Sequence, residues 1–262
     1  MLRVINFIAG SIGRKTIYQV EHILNLMAFT IKIITQTVHA PKEGRRLVNL
    51  AIIEQIYFTY VQALWIIIPV SLIIGTSIIV QACLIQQDLG KIIIFLIIRE
   101  VGPMVTALVV ILRSATAVAV EIGYMKVRGE MEAIEMAGID PLRLICFPRL
   151  VGITSAVVFL FIVFDFVAIM GGYVLVQIFT DLPVGTLMNS LTQAIGMTDI
   201  IVGLTKALLF GIIITMVSLY NGFIIEKKIT SVAVGTSKAS LECFLYILMV
   251  NITISSVFYL IR

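Results

Sequence analysis

The chain has 262 residues and a formal net charge of +4; 60% of its residues are hydrophobic, 13% are charged, and mean hydropathy is +1.10. A soluble domain is about half apolar and about a quarter charged, so this composition excludes one and describes an integral membrane protein. Cys83, Cys146 and Cys243 have no CxxC spacing, and His22 and His39 are too far apart for a helical metal pair, which excludes a disulfide framework and a zinc site.

Residues 4–13 are a short apolar stretch with polar breaks and no cleavage signal after it, so no signal peptide is evident. In 22–40, Ile23, Met27, Ile31, Ile34 and Val38 recur at helical spacing, while Asn25, Lys32, Thr35, Gln36 and His39 interrupt the run. That pattern predicts an amphipathic helix lying in the membrane interface; the alternative is a poor first span.

Five apolar windows follow, at 61–80, 92–112, 151–179, 200–220 and 241–261. Each is long enough for a hydrocarbon core of ~30 Å, which needs ~20 helical residues. No alternating strand pattern suggests a barrel. The predicted fold is therefore all-α: an N-terminal interfacial helix and five transmembrane helices, with 1–45 as the interfacial region and 46–262 as the five-span core of a single domain.

Lysine and arginine mark the cytoplasmic side. Seven precede the first span, and the loop at 81–91 holds only Lys91. Residues 113–149 carry Arg113, Lys126, Arg128, Arg143 and Arg149. The stretch 180–199 has none, 221–240 has Lys227, Lys228 and Lys238, and only Arg262 follows the last span. The alternation predicts a cytoplasmic N-terminus and a C-terminus on the outer side.

The longest cytoplasmic connection reads YMKVRGEMEAIEMAGIDPLR at 124–143. Met131, Ile134 and Ala137 form a short stripe flanked by Glu130, Glu132 and Glu135. Gly138 suits a helix C-terminus, and Asp140-Pro141 suits the next N-cap and first turn. The spacing predicts a short amphipathic helix between the second and third spans, either a plain connector or a docking helix for a cytoplasmic partner.

Within the second span, Arg99 and Glu100 interrupt the apolar run IIIFLIIREVGPMV at 92–105. They lie eight and nine residues past Lys91, roughly 12–14 Å along a helix. Lys206 lies seven residues past Asp199, at similar depth in the fourth span. Buried membrane charges face a cavity or one another. Adjacent helical residues point about 100° apart, so Glu100 is expected to pair with Lys206 across helices. Arg99 is then free for an anionic group such as phosphate. Pro103 cannot donate to the carbonyl of Arg99, so a kink with exposed backbone is expected beside the charges. A ligand cavity is one reading of this group, and a structural ion pair is the other. Asp165, in the third span, is an alternative partner for Lys206, and the small pair Gly171-Gly172 that follows it allows close helix approach. Arg113 and Glu121, near the cytoplasmic end of the second span, read as snorkelling or structural charges.

No P-loop, HExxH or GxSxG occurs, and no Ser/His/Asp cluster. No inverted repeat is visible and five spans do not halve, which argues against a secondary transporter. A dimer is the simplest way for five spans to build a translocation path.

The run REVGPMVTAL at 99–108, Arg113, EIGYMKV at 121–127, AIEMAGIDP at 133–141 and Pro148-Arg149 together resemble the MlaE-type permease family of phospholipid ABC transporters. Asp165 with Gly171-Gly172 and SLYNG at 218–222 extend the resemblance thinly over most of the chain. The chain departs from the family at 127–132, where VRGEME stands in place of a sequence close to VTEQID and sets Gly129 mid-helix at a cost of up to ~1 kcal/mol against alanine, and it has Asn251 where some relatives have an acid.

The resemblance implies a bacterial inner-membrane permease, working as a homodimer around a phospholipid cavity that opens to a periplasmic MCE-domain ring. It implies a separate cytoplasmic ATPase that binds the ATP and magnesium, often with a STAS-domain protein on it. This chain is expected to bind no cofactor of its own, to be no enzyme, and to bind no nucleic acid. Arg99, Glu100, Pro103, Lys206 and Asp165 fall at or near the implied lipid path. Glu121, Met125, Lys126, Arg128, Glu130, Met131, Glu132, Ile134, Glu135, Gly138 and Asp140 fall in or beside the implied coupling segment. The rival readings are a permease of a binding-protein-dependent importer for another solute, and a non-ABC channel or scaffold.

The charge alternation carries a direct test. Alkaline phosphatase fused after Arg262 is expected to be active at the outer face and inactive when fused at Arg128; the reverse pattern inverts the topology.

Overall fold

The computed structural model describes residues 17, 20–33, 35, 45–85, 89–179, 185 and 192–261. Among them it is built from helices joined by short turns: α1 (20–33), α2 (Arg45–Ile85), α3 (Gly90–Val127), α4 (Glu130–Met136), α5 (Leu144–Gln177), α6 (Met197–Ile224) and α7 (Ile229–Ile261). Five of these, α2, α3, α5, α6 and α7, are long and apolar enough to cross a membrane, as the sequence predicts. They are longer than the apolar windows. At 1.5 Å per residue the 41 residues of α2 reach about 60 Å, so its ends run past a hydrocarbon core of ~30 Å.

Helices α3 and α6 form the centre: 56% of the most apolar stretch of each is buried, against 11% for α7. Helix α6 packs against α3, α5 and α7, and α2 lies along α5. With no hydrophobic force between helices in lipid, association relies on close packing. Small residues supply it. A Cβ on Gly75 of α2 would lie 2.1 Å from the carbonyl oxygen of Ala168, and one on Gly172 would lie 2.8 Å from the backbone of Gly75. The predicted role of Gly171-Gly172 as a close-approach pair is realised against α2.

Helix α1 packs through a face the sequence stripe does not show. His22, Leu26, Phe29 and Ile33 turn toward the bundle, with the Phe29 ring against Tyr220 and Phe223 at 5.7 and 5.6 Å. Ile23, Met27 and Ile31 of the expected stripe are exposed, which suits a helix covered by protein on one side and lipid on the other. Ile34, Val38 and His39 lie outside the described residues.

The long spans contain wide π-helical turns at Phe95–Val101, Ile111–Ala115 and Val167–Gly171, and another at Leu142–Cys146 opens α5. Such turns add a residue to the ladder and cluster at functional positions. The first contains Arg99 and Glu100 and ends just before Gly102-Pro103.

The connector after α3 corrects one expectation. Gly129, read as a costly mid-helix glycine, has φ +74° and separates α3 from α4. The left-handed backbone is natural for glycine, so the segment at 124–138 is the end of one helix, a turn, and a second short helix. Gly138 has φ +77° past the end of α4, and Asp140 Oδ1 accepts from the Leu142 N–H at 2.9 Å. Both fulfil the predicted capping roles.

The α2–α5 contact sets a stability test. Gly75→Val is expected to cost about 1–3 kcal/mol by overpacking, read as a lower thermal unfolding midpoint in detergent. Ser240→Ala on the partly buried face of α7 is expected to shift the midpoint far less.

Candidate functional site

Lys206 lies inside the bundle with none of its side chain exposed. Its ammonium has three N–H donors, and three acceptors meet it: Glu100 Oε1 at 3.0 Å, the Arg99 carbonyl at 2.7 Å and Ser255 Oγ at 2.7 Å. The carbonyl is the one that Pro103 cannot engage. The proline thus opens an acceptor and the lysine of α6 takes it.

Glu100 is held in turn by α7: Ser255 Oγ donates to Oε1 at 2.7 Å and Asn251 Nδ2 to Oε2 at 3.2 Å. The cluster therefore joins α3, α6 and α7. The expected pairing of Glu100 with Lys206 is present, and Asp165 is not the partner of Lys206. Asp165 stands against α3 instead, where a Cβ on Gly102 would lie 2.5 Å from its Oδ1. That oxygen has no hydrogen-bond partner among the described residues.

Arg99 is not the free cation that the sequence suggests. Its Nη1 lies 3.3 Å from Asp199 Oδ1 at the start of α6, and Asp199 Oδ2 accepts from the Gly196 N–H at 3.3 Å. The physical reason is depth: α6 begins close to Arg99, so the first-turn carboxylate reaches it. Arg99 also stacks on the Phe95 ring at 5.5 Å, and its Nε is without an acceptor among the described residues. Asp199, Ser255 and Asn251 were missed as site residues. Asp199 is visible as a charge at the start of a span and Asn251 as a polar residue within one, but nothing in the chain order shows that they converge.

These groups wall a cavity of about 510 Å³ lined by Phe95, Arg99, Glu100, Ser255, Phe258 and Tyr259. One side is charged and hydrogen-bonding, and the rest is aromatic and aliphatic. An amphiphile needs that combination.

At the α4 end of the bundle, the coupling candidates divide. Glu121 of α3 pairs with the buried Arg149 of α5 at 2.6 Å. Met125 packs on the core and Lys126 Nζ donates to the Phe223 carbonyl at 2.5 Å. Arg128 pairs with Glu130 at 3.6 Å, and Glu132 with Lys227. Met131 and Ile134 turn inward, whereas Glu135, Gly138 and Asp140 are exposed. Exposed Met136 and Ile139 add an apolar patch beside the acids. Arg113 is half-buried: it donates to the Thr59 carbonyl at 3.2 Å and to Gln62, and lies 5.0 Å over the Phe58 ring.

The family described as Permease MlaE matches residues 52–257. This chain belongs to the MlaE permease family. A probable ABC transporter permease protein of Rickettsia bellii is 27% identical over 258 residues, covering 96% of this chain and 98% of that protein. The intermembrane phospholipid transport system permease protein MlaE of Haemophilus influenzae is 27% identical over 216 residues, 79% of this chain and 82% of its own length. The chloroplastic protein TRIGALACTOSYLDIACYLGLYCEROL 1 of Arabidopsis thaliana is 25% identical over 174 residues, 66% of this chain and 50% of its own. The MlaE permease match contains Arg99, Glu100, Asp199, Lys206, Asn251 and Ser255 of the polar cluster.

A thermodynamic signature follows for the cluster. Lys206→Met alone strands Glu100 in an apolar bundle and is expected to cost up to about 3–5 kcal/mol. The double change with Glu100→Gln is expected to recover most of that loss, read as thermal unfolding midpoints of the two proteins in the same detergent.

Proposed function

We propose that this chain is the membrane-spanning subunit of an ABC transporter that moves phospholipid between the inner membrane and a periplasmic MCE-domain protein. The observation that carries the reading is the amphipathic cavity: a hydrogen-bonded charge cluster at membrane depth, walled otherwise by Phe95, Phe258 and Tyr259. Acyl chains suit the aromatic wall and a headgroup suits the Arg99–Asp199 and Glu100–Lys206 edge. The name of the Haemophilus relative points to the same substrate class.

ATP hydrolysis belongs to a separate cytoplasmic subunit, with a STAS-domain protein on it in some assemblies. Two copies of this chain enclose the lipid path, with the N-terminus in the cytoplasm and the C-terminus in the periplasm. The exposed Glu135, Met136 and Ile139 around α4 are the docking surface for the ATPase. Movement of α4 reaches α3 through the turn at Arg128-Gly129 and alters the cavity near Glu100.

The test is ATP-dependent lipid transfer by the assembled transporter in proteoliposomes. Glu100→Gln and Lys206→Met with Glu100→Gln are expected to reduce the transfer rate about tenfold or more, the scale of a lost charge-assisted contact. Met136→Asp is expected to uncouple ATP hydrolysis from transfer. Normal transfer in all of these variants overturns the residue assignment. A polar solute carried in place of lipid favours the rival importer.

A further inference from the structure

A second cleft, of about 410 Å³, opens at the α4 end of the bundle. Three helical stripes make it. Helix α2 contributes Ala51, Glu54 and Phe58, α3 contributes Val118 and Glu121, and α5 contributes Arg149. The volume falls within the ~300–1,000 Å³ of small-molecule sites. Glu100 and Glu121 are 21 residues apart on α3, about 30 Å along a helix axis. The cleft therefore lies at the opposite end of the bundle from the cavity beside Lys206, and is a separate place.

Its chemistry is unusual for a groove on a membrane helix. Arg149 is 8% exposed, and one side of its guanidinium holds Glu121 at 2.6 Å. The other side is unsatisfied: Nη1 is buried and has no hydrogen-bond partner among the described residues. A buried guanidinium N–H without an acceptor is unfavourable, and phosphate is the acceptor whose geometry it fits best. Glu54 and the largely exposed Glu121 supply two carboxylates on the same cleft. A purely anionic ligand would meet them unfavourably. A ligand with both a phosphate and an ammonium would not. The apolar wall of Ala51, Phe58 and Val118 continues the site for a chain.

We infer that this cleft binds the headgroup of a zwitterionic phospholipid, with its phosphate on the Arg149 guanidinium and its ammonium between Glu54 and Glu121. Under the proposed topology this is a lipid of the cytoplasmic leaflet, and the inference rests on the phospholipid reading for its choice of ligand. Glu121 then both orients Arg149 and meets the ammonium, while Glu54 contributes charge only.

The experiment uses the full chain in nanodiscs of equal phosphatidylethanolamine and phosphatidylglycerol. A photoreactive benzoylphenylalanine replaces Ala51 in the cleft or, in a separate protein, Phe258 in the other cavity. After irradiation, mass spectrometry identifies what each position has captured. Position 51 is expected to capture phosphatidylethanolamine in preference to phosphatidylglycerol. Arg149→Gln is expected to reduce that capture about tenfold, the scale of a lost charge-assisted hydrogen bond, and Glu54→Gln to shift it toward phosphatidylglycerol. Because Arg149→Gln can disturb packing, Ala117→Phe serves as a second variant: it fills the cleft while keeping both members of the ion pair, and is expected to abolish capture at 51 and leave capture at 258 intact. Capture at 51 without headgroup preference, or unchanged by Arg149→Gln and Ala117→Phe, overturns the inference. So does loss of lipid capture on adding the ATPase subunit with cross-linking of that subunit in its place, which makes the cleft a protein interface. Lipid at 258 but not at 51 rejects this inference alone, whereas lipid at 51 but not at 258 keeps it and rejects the transport path.

Discussion

A lysine with no water around it can remain charged in a helical bundle only if each of its N–H bonds finds an acceptor. Lys206 meets that condition with one carboxylate, one hydroxyl and one backbone carbonyl. The carbonyl is accessible because the residue four places on is proline. The wide turn at Phe95–Val101 and the pair Gly102-Pro103 are therefore parts of one arrangement. It locks the depth of α3 against α6, and through Ser255 and Asn251 it locks α7 as well. Three of the five spans have their register fixed at one point.

That constraint shapes the cavity. With Glu100 engaged by Lys206, Ser255 and Asn251, and Arg99 drawn toward Asp199, the charges sit along one edge rather than across the opening. The remaining wall stays apolar. Close packing elsewhere keeps the edge rigid: Gly75 and Gly172 let α2 and α5 approach to backbone contact, so the side of the bundle away from α7 has little room to yield. The exposed α7 is the span least held by this chain's own packing, and it carries two of the hydrogen-bond donors to Glu100. A change in its position would be felt first at that carboxylate.

The other end of α3 repeats the theme with different chemistry. Glu121 and Arg149 join α3 to α5, and Gly129 breaks the helix just beyond. A polar interaction thus fixes each end of α3, one to α6 and α7 and one to α5. A continuous helix tied at both ends couples a displacement at one end to the other. This gives a physical route between the proposed docking element at α4 and a cavity about 30 Å away, without any contiguous chain of special residues.

The amino-acid sequence by itself determined the spans, because each must satisfy its backbone internally across ~30 Å of hydrocarbon and this demands long apolar runs. It also determined the caps at Gly138 and Asp140, the close approach at Gly171-Gly172, and the presence of charges at 99, 100 and 206 that needed partners. Those are local properties or consequences of burial. The tertiary structure decided which partners met. Glu100 found Lys206, but Arg99 was taken by Asp199 and Asp165 by neither, because pairing depends on where α6 starts relative to α3 and how the helices are rotated. Ser255 and Asn251 carry no signal in chain order, since small polar residues are ordinary in a span and become a site only when a neighbouring helix turns a carboxylate toward them. The face of α1 was misread for the same reason: both of its sides are apolar, and only the position of Tyr220 and Phe223 decides which one is covered by protein.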